Sequence, residues 1–245
     1  MGHKVLVTGG SKGIGLAAVE AMAKRGDVEE IFLTYNSDAE RALEVLEQLG
    51  ATYDDVTFHL CQLDVTDAQE GEALEDALEQ LDFVPTVVCF NANVTNRSPL
   101  EELDMEEWRR LFQANVHFPV EMTKRLAPKM VEGGVFLFTG SMMAVQPHSV
   151  SLGYGVSKSA VHALVTNLVK HLEPYGHRVV GIAPGFVDTE WQKTKPAEIR
   201  ANIEAKVALH RFATPAEVGS LFAYILDNAY FNGDILTLSG GYSYK

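Results

Sequence analysis

The feature that most constrains this 245-residue chain is its repeated alternation of short apolar runs with helical stretches. The apolar runs are rich in Val, Ile, Leu and Phe without strict alternation, as expected for strands covered on both faces. Strands are predicted at 5–8, 31–34, 56–60, 86–90, 135–139, 179–182 and 235–238. Repeated β-α-β units favour an α/β fold, a doubly wound parallel sheet (Rossmann fold) with helices on both faces.

Capping residues mark the helix starts between these strands. Starts are predicted at Ser37-x-x-Glu40, Thr66-x-x-Gln69, Asp104-x-x-Glu107 and Thr214-Pro215-x-Glu217. Pro119 should kink the third helix, because proline has no backbone N–H to donate. No linker, repeat or low-complexity run divides the chain, so residues 1–245 are predicted to form a single domain.

The charge balance excludes some partners. Lys and Arg number 20 against 33 Asp and Glu, a formal net charge of −13. An acidic surface repels phosphate backbones, so nucleic-acid binding is not expected, although a local pocket can still hold a small anion. No apolar run reaches the ~20 residues of a membrane span, and the first residues read as a strand rather than a signal peptide. A cytoplasmic protein without a membrane association is expected.

The two cysteines, Cys61 and Cys89, both fall in apolar runs. They supply neither a disulfide framework nor zinc spacing. Both are predicted to be buried free thiols, and no metal is expected.

A glycine-rich turn follows the first predicted strand. It reads Gly9-Gly10-Ser11-Lys12-Gly13-Ile14-Gly15 and leads into a helical run. At such a junction, backbone N–H groups and the helix dipole attract a pyrophosphate. Gly9 permits a tight turn, whereas Gly13 and Gly15 let backbone, ligand and helix come close. A dinucleotide site is the favoured interpretation, and a merely flexible turn is the alternative.

The residues about 20 positions beyond the turn indicate which dinucleotide binds. An NAD site expects an acid there, but Tyr35 and Asn36 are uncharged. An acid would repel a 2′-phosphate, whereas Lys12 could bind one, so NADP(H) is favoured over NAD(H). In the alternative, Lys12 is a solvated lysine and Asp38 takes the acidic role, which keeps NAD(H) possible.

Asp64 closes the third predicted strand and is followed by Val65. Its carboxylate could open the next helix, or it could accept a hydrogen bond from the adenine amino group. Periodicity does not choose between these two interpretations.

Tyr154 and Lys158 carry the sharpest chemical signal. They are four residues apart and share one face of a predicted helix. An ammonium beside a phenol lowers the tyrosine pKa from ~10 and makes it a general acid and base for alcohol/carbonyl interconversion. Ser141 follows the strand at 135–139, at the carboxyl edge where doubly wound sheets bind ligands. Its hydroxyl could polarise a substrate carbonyl.

With these residues in place, the sequence resembles the short-chain dehydrogenase/reductase family, and most closely its 3-oxoacyl-[acyl-carrier-protein] reductase branch. The resemblance covers essentially the whole chain. It is carried by the TGxxxGxG turn at 8–15, Asn91-Ala92 of an NNAG motif, a helix-kinking Asn115, Ser141 thirteen residues before Tyr154, Pro184-Gly185 with Val187 and Thr189, Arg211-Phe212-Ala213-Thr214-Pro215, and Ser239-Gly240-Gly241-Tyr242.

The resemblance implies hydride transfer between a nicotinamide and a substrate carbonyl, with catalysis by four residues. Tyr154 would donate the proton, Lys158 would hold the nicotinamide ribose, Ser141 would orient the carbonyl, and Asn115 would anchor a water that relays protons. The cofactor contacts expected from motif and resemblance together are Gly9, Ser11, Lys12, Gly13, Ile14, Gly15, Tyr35, Asn36, Asp64, Val65, Asn91, Ala92, Tyr154, Lys158, Pro184, Gly185, Val187 and Thr189.

Three residues depart from the family pattern. Asn93 replaces the final Gly of NNAG; it tolerates positive φ but could crowd the cofactor. Phe90 replaces the first Asn and so removes a polar contact between strands. Val180 replaces the Asn of an NAxxPG segment. These departures bear on the substrate more than on the reaction type.

Residues 186–212 are expected to form a lid over the substrate. Its apolar residues suggest an extended or lipid-like substrate, or are simply core-facing helix positions. They are Trp191, Ile199, Ile203, Val207 and Leu209. A basic group could bind an acidic acyl carrier protein, or could be ordinary solvated charge. It comprises Lys193, Lys195, Arg200, Lys206 and Arg211 at the lid, with Lys124, Arg125 and Lys129 on the kinked helix.

The function expected is therefore NADPH-dependent reduction of a 3-oxoacyl thioester, as in fatty acid biosynthesis. One alternative is oxidation or reduction of a steroid, a sugar or another small alcohol or ketone. Another is a sensor or scaffold that binds NADP without catalysis. The resemblance also implies a homotetramer that packs through the helices beginning near Asp104 and Tyr154, with the C-terminal strand at a second interface.

Overall fold

A computed structural model describes residues 2–146 and 151–242. Its seven strands are β1 His3–Val7, β2 Val28–Tyr35, β3 Thr57–Gln62, β4 Val87–Phe90, β5 Val135–Thr139, β6 Arg178–Pro184 and β7 Ile235–Leu238. Its α-helices are α1 Gly13–Ala23, α2 Ala39–Thr52, α3 Glu70–Gln80, α4 Met105–Phe112, α5 Phe118–Leu126, α6 Leu152–Leu172, α7 Glu190–Lys193, α8 Ala197–Lys206 and α9 Pro215–Asp227.

The strands form one parallel sheet in the order β3-β2-β1-β4-β5-β6-β7. The predicted doubly wound α/β fold is thus confirmed, with all seven strands within three residues of their predicted bounds. The strand order reverses between β1 and β4. In such sheets, ligands bind outside the carboxyl ends of the strands at this switch point.

Each face of the sheet carries its own apolar core. Val5 and Val7 of β1 pack with α1, α2 and α9 on one side, whereas Leu6 faces α3, α5 and α6 on the other. Because alternate side chains point to opposite faces, a strand with both faces covered needs an unbroken apolar run. This requirement explains why the strands could be found from composition.

Helices α1 and α9 pack with their backbones in close contact. A Cβ on Gly219 of α9 would collide with the carbonyl of Ala17 in α1. Beyond α1, Arg25 donates to the Ala223 carbonyl at 3.1 Å and forms an ion pair with Asp227 at 2.6 Å. The glycine turn therefore rests on a helix that the C-terminal part of the chain holds in place.

Two of the four predicted helix starts are confirmed. Asp104 accepts the Glu106 N–H at 2.8 Å, and Thr214 forms a complete capping box with Glu217. The Ser37 start is wrong by one residue, because the neighbouring Asp38 caps α2. 

The Thr66 start is also wrong. The Thr66 hydroxyl donates to Asp64 Oδ1 at 2.8 Å, so it closes a turn, and α3 begins only at Glu70.

Cys89 is fully buried, as predicted, but Cys61 is only half-buried. Throughout residues 2–146 and 151–242, the helices are too short or too polar to cross a bilayer. In the same ranges no cluster of three or more His, Cys, Asp or Glu is placed to hold a metal.

Candidate active site

The glycine turn has the geometry of a dinucleotide cradle. Gly9 and Gly13 have φ values of +66° and +57°, a backbone region that residues with side chains rarely adopt. A Cβ on Gly15 would collide with the Gly9 carbonyl oxygen. Lys12 is the N-cap of α1 and makes no capping hydrogen bond through its side chain. The backbone N–H groups of the first turn therefore lack a side-chain acceptor, and this donor set fits a pyrophosphate.

Asn91 ties this turn to the neighbouring strands. Its Nδ2 donates to the carbonyls of Thr8 and Gly9 at 3.3 and 3.2 Å. The N–H groups of Asn91 and Ala92 both donate to Thr8 Oγ1 at 3.0 Å, and Thr139 Oγ1 donates to Asn91 Oδ1 at 3.4 Å. One buried amide thus links β1, β4 and β5 at the switch point.

The carboxyl end of β2 carries the residues expected at the adenosine ribose. Tyr35 is half-buried, while Asn36 and Lys12 are exposed. Asp38 accepts the Arg41 N–H at 3.1 Å, so its carboxylate serves as a helix cap. This contact favours the interpretation in which Asp38 does not take the acidic role.

Four other predicted cofactor contacts lie on the same edge of the sheet. Asp64 Oδ1 accepts hydrogen bonds from the N–H and hydroxyl of Thr66 at 3.0 and 2.8 Å. The carboxylate therefore stabilises the turn that leads into α3. Val65 and Ser11 are buried, and Ile14 packs against the core. These contacts leave an adenine contact at Asp64 untested.

Tyr154 and Lys158 lie on one face of α6, as predicted. The Lys158 Nζ is 5.6 Å from the centre of the Tyr154 ring. It also donates to the Thr139 carbonyl at 2.7 Å, and the lysine is 2% exposed. The pair therefore stands at the carboxyl end of β5.

Ser141 lies beside the tyrosine. Its Oγ accepts the Met143 N–H at 3.1 Å, and its hydroxyl lies close enough to the Tyr154 phenol to lower the pKa of that group. His162, one turn beyond Lys158, accepts the Ser141 N–H through Nε2 at 3.3 Å. Gly140 leaves room for the imidazole, since a Cβ at this position would collide with the ring. Sequence analysis missed His162; its spacing of eight residues from Tyr154 was the available signal.

Burial governs the protonation of these groups. It raises the pKa of Tyr154 to about 12, while the hydrogen bond from Ser141 acts in the opposite direction. Burial lowers the pKa of Lys158 to about 7, and burial together with the nearby Lys158 charge lowers the pKa of His162 to about 4. The pKa of Tyr154 therefore shifts in the direction opposite to the one expected from Lys158, because desolvation is the largest cause. Tyr154 keeps its proton at neutral pH.

Asn115 lies within a break between α4 and α5. Residues Gln113–His117 form a π-helical segment, two residues before Pro119, so the interruption begins earlier than the predicted proline kink. Pro119 has no N–H to donate to the Asn115 carbonyl four residues before it. The Asn115 side chain pairs with the backbone N–H and carbonyl of Val94 at 2.9 and 3.0 Å and donates to Ser157 at 3.0 Å.

The segment after β6 reaches the glycine turn. Pro184 ends the strand, Gly185 follows, and Val187 is buried. The methyl of Thr189 would lie 3.4 Å from a Cβ on Gly13. The predicted nicotinamide and pyrophosphate contacts therefore face one another.

The predicted lid residues divide into two groups. Trp191, Ile199 and Leu209 are exposed, whereas Val207 is buried and Ile203 is half-buried. Some apolar residues of this segment therefore pack into the protein, whereas others form an exposed apolar surface.

Half of the predicted basic group, four residues of eight, is paired with carboxylates. Its ion pairs are Arg125 with Glu75 and Glu121, Lys129 with Glu75 and Glu79, Arg200 with Asp188, and Arg211 with Glu217. Within the described part of the chain, Lys124, Lys193, Lys195 and Lys206 form no ion pair.

The three departures from the family pattern are accommodated locally. Asn93 is exposed, has no positive φ, and donates through Nδ2 to the Asn91 carbonyl at 2.8 Å, so the chain passes this position without the left-handed conformation that Asn tolerates. Phe90 packs on Phe138 with ring centres 5.0 Å apart. Val180 is fully buried in the core. At this edge of the sheet, Asn91 supplies a polar link between β1, β4 and β5.

A parallel sheet with this turn and this Tyr–Lys–Ser arrangement defines a class of dinucleotide-dependent oxidoreductases. The family of short chain dehydrogenases matches residues 3–200. The chain therefore belongs to the short-chain dehydrogenase/reductase family, whose members interconvert CH–OH and carbonyl groups.

Relatives within the family differ in substrate. The chain is 29% identical to an uncharacterized oxidoreductase of Bacillus subtilis, covering 99% of both chains. It is 26% identical to a 3alpha-hydroxysteroid dehydrogenase of Mediterraneibacter gnavus, covering 96% of this chain and 94% of that protein. It is also 26% identical to a 3-oxoacyl-[acyl-carrier-protein] reductase of Vibrio cholerae, covering 98% and 97%.

A solved structure shows the same fold. A short chain dehydrogenase from Burkholderia cenocepacia, in complex with NADP, has a TM-score of 0.90 and 26% identity, covering 99% of this chain and 98% of that one.

Proposed function

We propose that this protein is an NADP(H)-dependent reductase that converts a substrate carbonyl to an alcohol, with a 3-oxoacyl thioester as the first substrate to test. The observation that carries the proposal is the placement of Ser141, Tyr154 and Lys158 together at the carboxyl end of β5, where the Lys158 Nζ lies 5.6 Å from the centre of the Tyr154 ring. Two neutral hydroxyls side by side are what a carbonyl oxygen needs as it gains negative charge.

The chain's own residues divide the work. Tyr154, protonated at neutral pH, donates its proton to the developing alkoxide, and Ser141 donates a hydrogen bond to the same oxygen. Lys158 holds the nicotinamide ribose, and Asn115 positions the water that returns a proton through Lys158. NADPH, when bound, supplies the hydride. His162 acts as a positioning residue, since it holds the Ser141 backbone.

The preference for NADP(H) rests on charge at the end of β2. Tyr35 and Asn36 are uncharged, Asp38 is used as a helix cap, and Lys12 is exposed in the turn. The relative from Burkholderia cenocepacia binds NADP with the same fold, which supports this choice.

A second candidate is reduction of a small apolar ketone such as a steroid. It is favoured by the exposed apolar side chains of the lid, Trp191, Ile199 and Leu209. The carrier-protein partner has weaker support, because half of the proposed basic group is paired with carboxylates. The sensor alternative is favoured only by Asn93, which replaces a family glycine and could crowd the cofactor. The Asn93 side chain instead donates to the Asn91 carbonyl.

A homotetramer is proposed from exposed apolar residues on the helices expected at the interfaces. Val120 of α5, with Leu152 and Val156 of α6, are about two-fifths exposed, and Tyr230 near β7 is almost fully exposed. Light scattering of the purified protein tests this proposal; a monomer at micromolar concentration would contradict it.

The test of function is a substrate panel. Purified protein with NADPH is offered acetoacetyl thioesters, steroid ketones and small diketones, and turnover is followed by the loss of nicotinamide absorbance. Fastest turnover of the thioesters supports the lead proposal, and fastest turnover of steroids supports the second candidate. Tight NADPH binding without any turnover would instead support the sensor.

A further inference from the structure

The segment that follows β4 runs along the candidate active site. Val94 holds Asn115 through two backbone hydrogen bonds. Two residues later, Asn96 lies against the helix that carries the tyrosine, because a Cβ on Gly153 would be 3.1 Å from Asn96 Oδ1. Arg97 is the next residue of this segment, and we call the region where it meets the lid the entrance.

Arg97 meets the lid through an aromatic ring. The Arg97 Cζ and the Lys195 Nζ each lie 4.6 Å from the centre of the Trp191 ring, and Trp191 is half exposed. Cations bind to the face of an indole in this way. Two cations share one ring here, so the contact joins the segment after β4 to the lid and concentrates positive charge at the entrance.

This charge is not neutralised by the chain. Arg200 pairs with Asp188 at 2.9 Å, but Arg97 and Lys195 have no carboxylate partner within residues 2–146 and 151–242. Burial and the charges of Arg97 and Arg200 lower the pKa of Lys195 to about 8. On a chain of net charge −13, two cations that share one aromatic ring and lack a carboxylate partner form a local positive patch.

Asn96, the residue before Arg97, adds an unsatisfied amide. Its Oδ1 and Nδ2 are both buried, and neither has a hydrogen-bond partner in the described part of the chain. Buried polar atoms are normally paired, because leaving one unpaired costs the desolvation of that group. Lys195 Nζ donates to Gln192 Oε1 at 2.6 Å, so this cation has an amide partner but no carboxylate.

We propose that Arg97, Lys195 and Asn96 form a subsite for an anionic group on the substrate, a carboxylate or a phosphate carried away from the reacting carbonyl. Trp191 is its platform, because the indole holds both cations in place. The inference rests on the proposed reductase function and narrows its substrate class to anionic carbonyl compounds. The anion could belong to an oxo acid or to the phosphopantetheine arm of an acyl thioester.

Matched substrate pairs test the subsite. One pair is acetoacetyl-coenzyme A and its neutral analogue acetoacetyl-N-acetylcysteamine; the other is 4-oxopentanoate and its methyl ester. The wild-type protein should show higher kcat/KM for the anionic member of at least one pair, and which pair responds identifies the source of the anion. Arg97→Gln and Lys195→Gln should each lower that value about tenfold, the value of a charge-assisted hydrogen bond, and leave the neutral member within about twofold.

A charge-matched control is Lys24→Gln, an exposed lysine just beyond α1, which should change neither member of a pair. Equal kcat/KM for both members of both pairs in the wild type would overturn the subsite. So would equal losses for anionic and neutral members in the variants.

A binding measurement separates failure of the subsite from failure of the reductase proposal. The chain has two tryptophans, so the fluorescence of Trp191 can be followed during titration with inorganic phosphate and with acetate. A saturable change that is lost in Trp191→Phe and weakened in Arg97→Gln supports the subsite even if no carbonyl is reduced. No change in the wild type would overturn the subsite even if reductase activity is found.

Discussion

The glycine cradle and the entrance cluster bind ligands by opposite means. The cradle, residues 8–15 with Asn91, is built from backbone: positive φ values, approaches too close for a Cβ, and one buried amide. The entrance cluster, Asn96, Arg97, Trp191 and Lys195, is built from long, partly exposed side chains around one ring. The first region admits very little change of sequence, whereas the second can change its ligand with one substitution.

This difference matches the two partners of the proposed reaction. The pyrophosphate is common to NAD(H) and NADP(H), so a fixed backbone shape suits it. The substrate differs between two relatives that are each 26% identical to this chain, so we expect the substrate contacts to lie on side chains. Four substitutions sharpen or break the comparison, taken from the largest expected effect to the smallest.

Tyr154→Phe removes the proton donor where the two regions meet. We expect kcat to fall by about 10²–10⁴-fold, the usual contribution of a positioned general acid. The dissociation constant of NADPH, measured by fluorescence titration, should stay nearly unchanged because the cradle is intact. Retained turnover would rule out the assigned role.

Gly15→Ala tests the backbone region directly. The added methyl would collide with the Gly9 carbonyl and lie 2.5 Å from Asn91 Nδ2. The free energy of unfolding should therefore fall by about 1–3 kcal/mol, and NADPH should bind more weakly. Gly50→Ala is the matched control, since Gly50 lies in α2 with open space around it. It should stabilise the protein by about 0.5–1 kcal/mol. Urea unfolding measures the free energy of unfolding of both variants. Equal changes in Gly15→Ala and Gly50→Ala would contradict the view that close backbone contacts require glycine in the cradle.

Lys12→Glu tests the one side chain of the cradle that is expected to select a ligand. Repulsion of the 2′-phosphate should raise the dissociation constant of NADPH about tenfold relative to that of NADH. Lys24→Glu places the same charge change just beyond the other end of α1 and should leave the ratio unchanged. Equal weakening of both cofactors by Lys12→Glu would dismiss the proposed preference.

His162→Gln tests the positioning of Ser141 and should have the smallest effect. Glutamine can still accept the Ser141 N–H, so kcat should fall only by about threefold and KM should hardly change. In the folded wild-type protein, burial lowers the pKa of His162 from its ordinary value of 6.5 to about 4. Its neutral form therefore favours the folded state above pH 6.5, and that contribution is lost as the pH falls toward 4.

The stability difference between wild type and His162→Gln should accordingly shrink from pH 7 to pH 5 in urea unfolding. A difference that grows on acidification would show that His162 gains its proton in the folded state.

The sequence predicted the cradle better than the entrance, for physical reasons. Gly9, Gly13 and Gly15 report a backbone conformation directly, so a local pattern was enough. The contact of Trp191 with Arg97 joins parts of the chain that lie far apart, and no periodicity reveals it, whereas Lys195 is only four residues beyond Trp191. Lys195 was noted only as part of a basic group, and Arg97 was not noted.

The same limit applies to burial. Tyr154 and Lys158 were found from their spacing, but the predicted direction of the tyrosine pKa was wrong because local sequence does not report desolvation. His162 was missed because a histidine at helical spacing is not distinctive until the strand beside it is known. Thr66 was misread because its hydroxyl is used by Asp64 instead of a helix N-terminus.

The contact between Gly219 and Ala17 has a consequence for how the protein is made. The turn for the nucleotide is encoded within the first 15 residues, yet the helix behind it finds its closest neighbour only at residues 215–227. During translation, we expect the apolar face of α1 that packs on α9 to stay uncovered until nearly the whole chain has been synthesised. Affinity for the nucleotide should therefore arise late and abruptly in the growing chain, and not in proportion to its length.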